Sequence, residues 1–345
     1  MKPLVSILIP AYNSEETIAD TINSALAQTW ERKEIIVVND GSTDRTAEVA
    51  QRFTAKGVKV VSGKNQGAAA ARNRAFLLSQ GDYIQWLDAD DILAPDKVER
   101  QLAALRPNES KRVLLSSPWA PFYYRTSSAQ FINNSLCQDL TPVEWLLRKM
   151  NENLHMQTAT WLTSRNLAEA VGLWDTRLQS DDDGEYFCRV LLASERTHFV
   201  QQAMVFYRIS PSNRLSHIGA SDSKKDAMLI SMKSHILYLQ SLEQSERVRK
   251  ACLTYMQNWY GSFYPERQDI CAELQSMASQ LQGHLEEPRL RWKFAWMKPV
   301  LGWKAAKWAQ TTLPHFKASC IRRYDKAMYK WETRRARAKL SVEGA

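Results

Sequence analysis

Tyr83-Ile84-Gln85-Trp86-Leu87-Asp88-Ala89-Asp90-Asp91 is the stretch on which the fold turns. A short β-rich run passes without a spacer into three carboxylates, and Pro95 follows where the first turn of a helix tolerates proline. A strand that ends in ionisable groups and hands over to a helix is a βα unit. Repeated βα units build a parallel sheet, and such sheets bind ligands beyond the carboxyl ends of their strands.

Outward from this stretch the alternation continues toward the N-terminus. Residues 5–10 read as a first strand, and Ser14 is expected to cap a helix reaching about residue 28, with Ile18, Ile22, Ala25 and Leu26 at helical spacing. Residues 34–39 form a second strand, 44–55 a second helix, 58–62 a third strand and 67–78 a third helix. Polar residues gather at the strand ends: Pro10-Ala11-Tyr12-Asn13, Asn39-Asp40-Gly41-Ser42 and the carboxylates after Leu87. Three loops therefore converge on one crevice. Toward the C-terminus, residues 113–117 and 204–208 read as strands and 141–149 as a helix. From about residue 220 the pattern is helical, with Pro265, Pro288, Pro299 and Pro314 as expected breaks.

Composition sets limits on function. The chain has 345 residues, 44% hydrophobic and 24% charged, which is ordinary globular usage and excludes a disordered protein. Cys137, Cys188, Cys252, Cys271 and Cys320 are widely spaced and form no CxxC pair, so they read as reduced thiols and exclude a disulfide framework. The first strand follows Met1 almost at once and leaves no room for a signal-peptide core, which predicts a cytoplasmic protein. No apolar run approaches the ~20 residues that span a bilayer, so any membrane contact is expected to be peripheral. The net charge of +9 is uneven: from Arg289 onward fifteen Lys or Arg face three acids, which leaves the first 288 residues slightly acidic.

The carboxylates carry the chemistry. Asp88, Asp90 and Asp91 repel one another unless a cation or several donors lie among them. Mg2+ or Mn2+ typically takes one or two carboxylates plus substrate phosphates, so a diphosphate substrate suits the arrangement. Asp40-Gly41-Ser42-Thr43-Asp44 offers an acceptor carboxylate and hydroxyls but is equally a simple βα turn. Tyr12 reads either as a packed loop aromatic or as a platform for a base. Arg72, behind Asn65-Gln66-Gly67 and an alanine run, pairs either with a phosphate or with one of the Asp residues. Ser180-Asp181-Asp182-Asp183-Gly184-Glu185 opens an apparent helix. Three consecutive Asp exceed what capping needs, and one of them opposite the metal site suits a general base.

Taken together, Pro10-Ala11-Tyr12-Asn13, Val38-Asn39-Asp40-Gly41-Ser42-Thr43-Asp44, Asn65-Gln66-Gly67 with Ala71-Arg72-Asn73, and Leu87-Asp88-Ala89-Asp90-Asp91 resemble family 2 glycosyltransferases. Gly172-Leu173-Trp174-Asp175 and Asp182-Asp183 resemble that family's acceptor-side motif. The resemblance implies an α/β protein of GT-A (Rossmann-like) fold, with a mostly parallel central sheet flanked by helices. It implies a domain over residues 1–215, nucleotide-binding in 1–105 and acceptor-binding in 106–215; the residue pattern beyond it gives a helical region over 216–345 that is basic and tryptophan-rich from residue 289.

It also implies an inverting enzyme that moves one sugar from a nucleotide-diphosphate sugar, with a UDP-sugar as the expected donor. Pro10, Ala11, Tyr12, Asp40, Arg72 and Asp88 would bind the nucleotide, and Asp90, with Asp88 as possible partner, the metal. Asp183 would be the catalytic base, with Asp182 as the alternative. No QxxRW signature follows the acidic segment, so transfer of a single sugar fits better than processive synthesis. The implied acceptor is a saccharide or lipid-linked saccharide of cell-envelope polysaccharide or lipopolysaccharide synthesis.

In the tail, Trp292, Trp296, Trp303, Trp308 and Trp331 lie among the cations. Lys304 and Lys307 share one helical face, Ala305, Ala306 and Ala309 lie opposite, and Trp303 and Trp308 fall at the borders. This suits a helix on an anionic membrane surface. A helical bundle packed on the catalytic domain uses the same pattern, and a nucleic-acid-binding tail would use the same residues. The intact carboxylate set argues against a non-catalytic scaffold.

Overall fold

The computed structural model describes residues 2–107, 109–209, 221–288, 290 and 292–343. Arg289 and Arg291 of the basic tail, and residues 216–220 at the start of the expected helical region, lie outside the described residues, as do the side chains of Lys304, Ala306 and Lys307.

The first half runs β1 (Val5–Ala11), α1 (Ile18–Leu26), β2 (Lys33–Asp40), α2 (Thr46–Gln51), β3 (Val58–Gly63), α3 (Ala68–Leu77), β4 (Tyr83–Trp86), β5 (Ile92–Leu93) and α4 (Lys97–Ala103). Then come β6 (Val113–Ser116), β7 (Trp119–Phe122), α5 (Pro142–Glu152), β8 (Thr163–Ser164), α6 (Arg165–Val171), α7 (Asp182–Ala193), β9 (Arg196–Phe199) and β10 (Val205–Arg208). The helices α8 (Asp222–Leu242), α9 (Glu246–Phe263), α10 (Gln268–Gln280), α11 (Trp292–Ala295) and α12 (Met297–Glu343) complete the chain.

The central sheet has the order β3-β2-β1-β4-β8, parallel in its first four strands, with β8 antiparallel to β4. β1 lies in the middle and every one of its residues is buried, which is why it is a continuous apolar run and not an alternating one. A second sheet, β5-β10-β7, stands beside the carboxyl end of β4, and β6 pairs with β9. Ala69, Ala71 and Ala75 bury the inner face of α3 and let its backbone come close to β1 and β2. α8 packs on α7 and α9 on α5, so these helices share one hydrophobic core with the sheet.

Two expectations are corrected. Ser14 does not cap α1: its hydroxyl donates to the Tyr12 carbonyl, and the helix begins at Ile18. Pro299 and Pro314 do not end helices, because α12 runs through both. Pro299 sits in its first turn, where the missing N–H costs nothing, and the non-helical residue inside α12 is Gly302. The N-cap of the helix after Pro95 is Asp96, and Asp91 is buried in the core.

Candidate active site

The loops after β1 and β2 are bonded into one unit. The Asn13 N–H donates to Ser42 Oγ at 3.0 Å, and the Thr43 N–H donates back to Asn13 Oδ1 at 2.8 Å. Ser14 N–H donates to Thr46 Oγ1 at 2.6 Å. Pro10 and Ala11 are the last rungs of β1 against Val38 and Asn39, and Tyr12 emerges beyond them, 50% exposed. Asp40 ends β2 and accepts hydrogen bonds from Gln66 N–H at 2.9 Å and Gly67 N–H at 2.8 Å, so it fixes the loop that leads into α3. Gly41 has φ of +68°, and a Cβ there would stand 2.6 Å from Asn65 N, so no other residue fits this crossing.

Arg72 is the centre of the arrangement. It is 4% exposed, and it donates to Asp182 Oδ2 at 2.6 Å and to Asp88 Oδ1 at 2.8 Å. Its guanidinium lies 4.4 Å from the centroid of Trp174, which stacks in turn on Tyr186 at 4.1 Å. Burial opposes the charge, yet Asp182, Asp88 and Asp183 together push the guanidinium pKa up and keep it protonated. Burial pushes Asp182 up to about 6 against the pull of Arg72, and neighbouring Asp183 and Asp88 add to the rise, since one guanidinium serves several carboxylates. Asn73, next along α3, exchanges two hydrogen bonds with the Trp174 backbone, at 2.8 and 2.9 Å.

Asp183 is half-buried. It accepts from Thr158 Oγ1 at 3.0 Å and from Gly184 N–H at 2.9 Å. Asp181 precedes α7 in the left-handed region, φ +54°, and its carboxylate accepts from Ser231 of α8. A Cβ on Gly184 would lie 2.2 Å from Asp181 Oδ1, so the first turn of α7 is folded around a glycine. His235 is fully buried behind it, bonded to Tyr255 OH at 2.9 Å, and burial lowers its imidazole to about 3.

The three carboxylates after Leu87 divide. Asp88 meets Arg72, and Asp90 is half-buried at the crevice. Asp91 turns inward to accept from Arg208 N–H at 2.8 Å and from the Gln157 side-chain amide. The repulsion expected from sequence is thus relieved by a guanidinium and by buried donors. Among the described residues no three His, Cys, Asp or Glu side chains converge as a metal cluster. A cation held by protein ligands alone does not fit; the hard oxygens of Asp90 and Asp88 fit one whose coordination a substrate phosphate completes.

Sequence reading missed Arg208. It donates through Nε to the Asp90 carbonyl at 2.8 Å, pairs with Asp20 at 3.0 Å, and so braces the acidic loop from β10. Asp90 and Asp20 lie more than a hundred positions away from it in sequence, and no local pattern marks it. Thr158 and Ser231, which hold Asp183 and Asp181 from 25 and 50 positions away, were missed because only the folded chain brings them to the start of α7.

Against known families, the profile described as "Glycosyl transferase family 2" matches residues 6–130. These residues are a family 2 glycosyltransferase domain. Glycosyltransferase RT0329 of Rickettsia typhi, itself uncharacterized, is 30% identical over 207 residues, 60% of this chain and 64% of that protein. TuaG of Bacillus subtilis, described as a putative teichuronic acid biosynthesis glycosyltransferase, is 42% identical over 104 residues, 29% of this chain and 41% of that protein. The chain thus spans less than two thirds of either relative.

Among solved structures, S. aureus TarS 1–349 in complex with UDP-GlcNAc superposes with a TM-score of 0.64 at 19% identity, covering 81% of each chain. Mannosyltransferase PcManGT of Pyrobaculum calidifontis, in complex with GDP-Man and Mn2+, gives 0.52 at 15% identity, covering 96% of this chain and 88% of that one. The GT-A architecture expected of this glycosyltransferase domain is the one observed. Among the described residues no helix is long and apolar enough to cross a membrane.

Proposed function

We propose that the protein transfers a single sugar, with inversion, from a nucleotide-diphosphate sugar to a hydroxyl acceptor. The observation that carries this reading is the buried Arg72 bridge, which draws Asp88 from the end of β4 and Asp182 from the start of α7 to one crevice. Donor-side and acceptor-side carboxylates then face the same space, as direct displacement requires. Tyr12 offers its exposed ring to the base. Asp40 uses two of its roughly four lone-pair directions on Gln66 and Gly67 and keeps the others for the nucleotide. Pro10, Ala11, Arg72 and Asp88 complete the nucleotide side.

Asp183 is the base. It is partly exposed and oriented by Thr158, whereas Asp182, its alternative, is buried and committed to Arg72. Asp183 takes the acceptor hydroxyl proton as that oxygen bonds to the anomeric carbon and the bond to the departing diphosphate oxygen breaks. Asp90, with Asp88 beside it, would hold Mg2+ or Mn2+, which supplies charge neutralisation for the diphosphate. TarS was crystallised with UDP-GlcNAc and PcManGT with GDP-Man and Mn2+, which supports a nucleotide-sugar donor; we favour a UDP-sugar. The biosynthetic description of TuaG supports cell-envelope polysaccharide or lipopolysaccharide synthesis. The acceptor is then a saccharide or lipid-linked saccharide, met by a cytoplasmic protein lying peripherally on the inner face of the membrane.

Thermal-shift titration of UDP-, GDP- and dTDP-sugars with and without Mn2+ tests the reading. A cognate donor at a hundred times its Kd stabilises the protein by about 2.7 kcal/mol, and the shift is expected to need the metal. No shift with any nucleotide sugar would overturn it.

A further inference from the structure

The last helix carries an outward face that the transferase chemistry leaves unused. Asp325 is buried against the loop after β7, where it accepts from the N–H groups of Tyr124 at 2.9 Å and Arg125 at 3.2 Å, and from Arg125 Nε at 2.7 Å. Glu332 pairs with the same Arg125 at 2.9 Å. Seven residues are close to two helical turns, so Asp325 and Glu332 define one inward line. The neighbouring pairs obey the same spacing. Arg323 and Lys330 fall on the opposite side of the helix and are exposed, while Tyr324 and Trp331 are exposed along one flank. Asp325 and Glu332 thus face the protein, with Lys326 and Tyr329 against Tyr124, while Arg323 and Lys330 face outward and Tyr324 and Trp331 line the flank.

α11 and the first turns of α12 repeat the chemistry. Trp292 is 81% and Trp308 68% exposed, with Trp296, Val300 and Leu301 exposed as well. Lys293 lies 5.5 Å from the Trp292 ring centroid, and Lys298 5.4 Å from that of Trp303. Exposed indoles among cations are the composition of a membrane interface, where the ring sits at headgroup depth and the ammonium meets lipid phosphate. Single exposed apolar residues need no account, but a run of them on one terminal segment marks an interaction surface.

We infer that α11 and α12 form a docking face for an anionic phospholipid surface, moored to the acceptor side of the catalytic crevice. The mooring is short. Asp325 holds the Tyr124 N–H, the Tyr123 carbonyl accepts from Arg208 at 3.4 Å, and Arg208 braces Asp90. A bilayer that engages the tail is thereby held beside the crevice mouth, where an acceptor carried on a lipid has to present its hydroxyl. The lipid contact itself does not depend on the transferase reading.

Vesicle co-sedimentation of the full chain tests this. Binding is expected with phosphatidylcholine mixed with phosphatidylglycerol, not with phosphatidylcholine alone, and it weakens as salt is raised. Arg323→Gln/Lys330→Gln and, separately, Trp308→Ala/Trp331→Ala are each expected to lose on the order of tenfold in vesicle affinity. Unchanged melting and unchanged nucleotide-sugar binding in these variants show that fold and crevice are intact and keep this test separate from that of the transferase. Failure of the unmodified protein to sediment, equal binding to neutral vesicles, undiminished binding by both variants, or retention on duplex nucleic acid without retention on vesicles would each overturn the inference.

Discussion

At the scale of single residues, the site turns on a division of labour between adjacent acids. Asp182 is spent on Arg72 and Asp183 is left to the crevice, a distinction that a row of three Asp does not display. Asp183→Asn keeps the Thr158 contact and removes the proposed base, so turnover is expected to fall by about 10²–10⁴-fold with little change in melting temperature. Nucleoside diphosphate release, read beside a thermal melt, checks both halves. Arg72→Met behaves differently. It strands Asp182 and Asp88 without their cation, and removing one partner of a buried pair costs about 3–5 kcal/mol. Urea unfolding of that variant should show the loss; stability within 1 kcal/mol or so of wild type would mean that the pair is solvated. Asp88, Asp90 and Arg72 were legible as motif positions. That Arg72 reaches a partner 110 positions away was not, because only the folded chain brings α3 and α7 together.

Elements were legible where a strong period coincides with burial. β1, β2, β3 and α3 begin and end within about a residue or two of their expected bounds, since β1 and β2 are buried apolar runs and α3 is bounded by Gly67. Caps and breaks were less legible. Ser14 serves the loop before α1, and Pro299 is harmless in a first turn. Lys97 is fully buried with its ammonium on the Gln85 side-chain oxygen, and burial drives its pKa well down, whereas charge patterning alone puts any lysine at the surface. The first turn of α7 shows how local propensity is overridden. Glycine inside a helix normally yields to alanine with a gain of about 0.5–1 kcal/mol. Here Gly184→Ala would push Asp181 off its seat, because the new Cβ meets Asp181 Oδ1. The substitution is expected to destabilise and, by tilting the turn that carries Asp183, to lower kcat more than donor affinity. A stabilised, fully active Gly184→Ala protein would show that the turn has slack.

At the scale of the whole molecule, the helices behind the sheet act on the site through its foundations. α8 carries Ser231 and His235 into the base of α7, so the acids that open that helix rest on a helical layer that no motif announces. That layer also sets an acid limit on the fold. His235 ordinarily titrates at 6.5, and burial lowers it to about 3, so the native protein keeps it neutral while the unfolded chain takes up a proton. Stability from this group is complete above pH 6.5 and is lost as pH falls toward 3, at about 1.4 kcal/mol per unit and about 5 kcal/mol in all. Asp182 works in the opposite sense. Raised from 3.8 to about 6, it binds a proton in the native state first, so its contribution is full below 3.8 and is lost as pH rises through 6. Between pH 4 and 6 the two slopes oppose each other, and the unmodified protein should show little net pH dependence from the pair. Replacing His235 by Gln removes one slope and leaves the other. Denaturant midpoints of His235→Gln are therefore expected to fall less than those of the unmodified protein as pH is lowered from 6 to 4. Parallel pH profiles for the two proteins would show that the imidazole is charged in the fold and that Asp181 holds it as an ion pair.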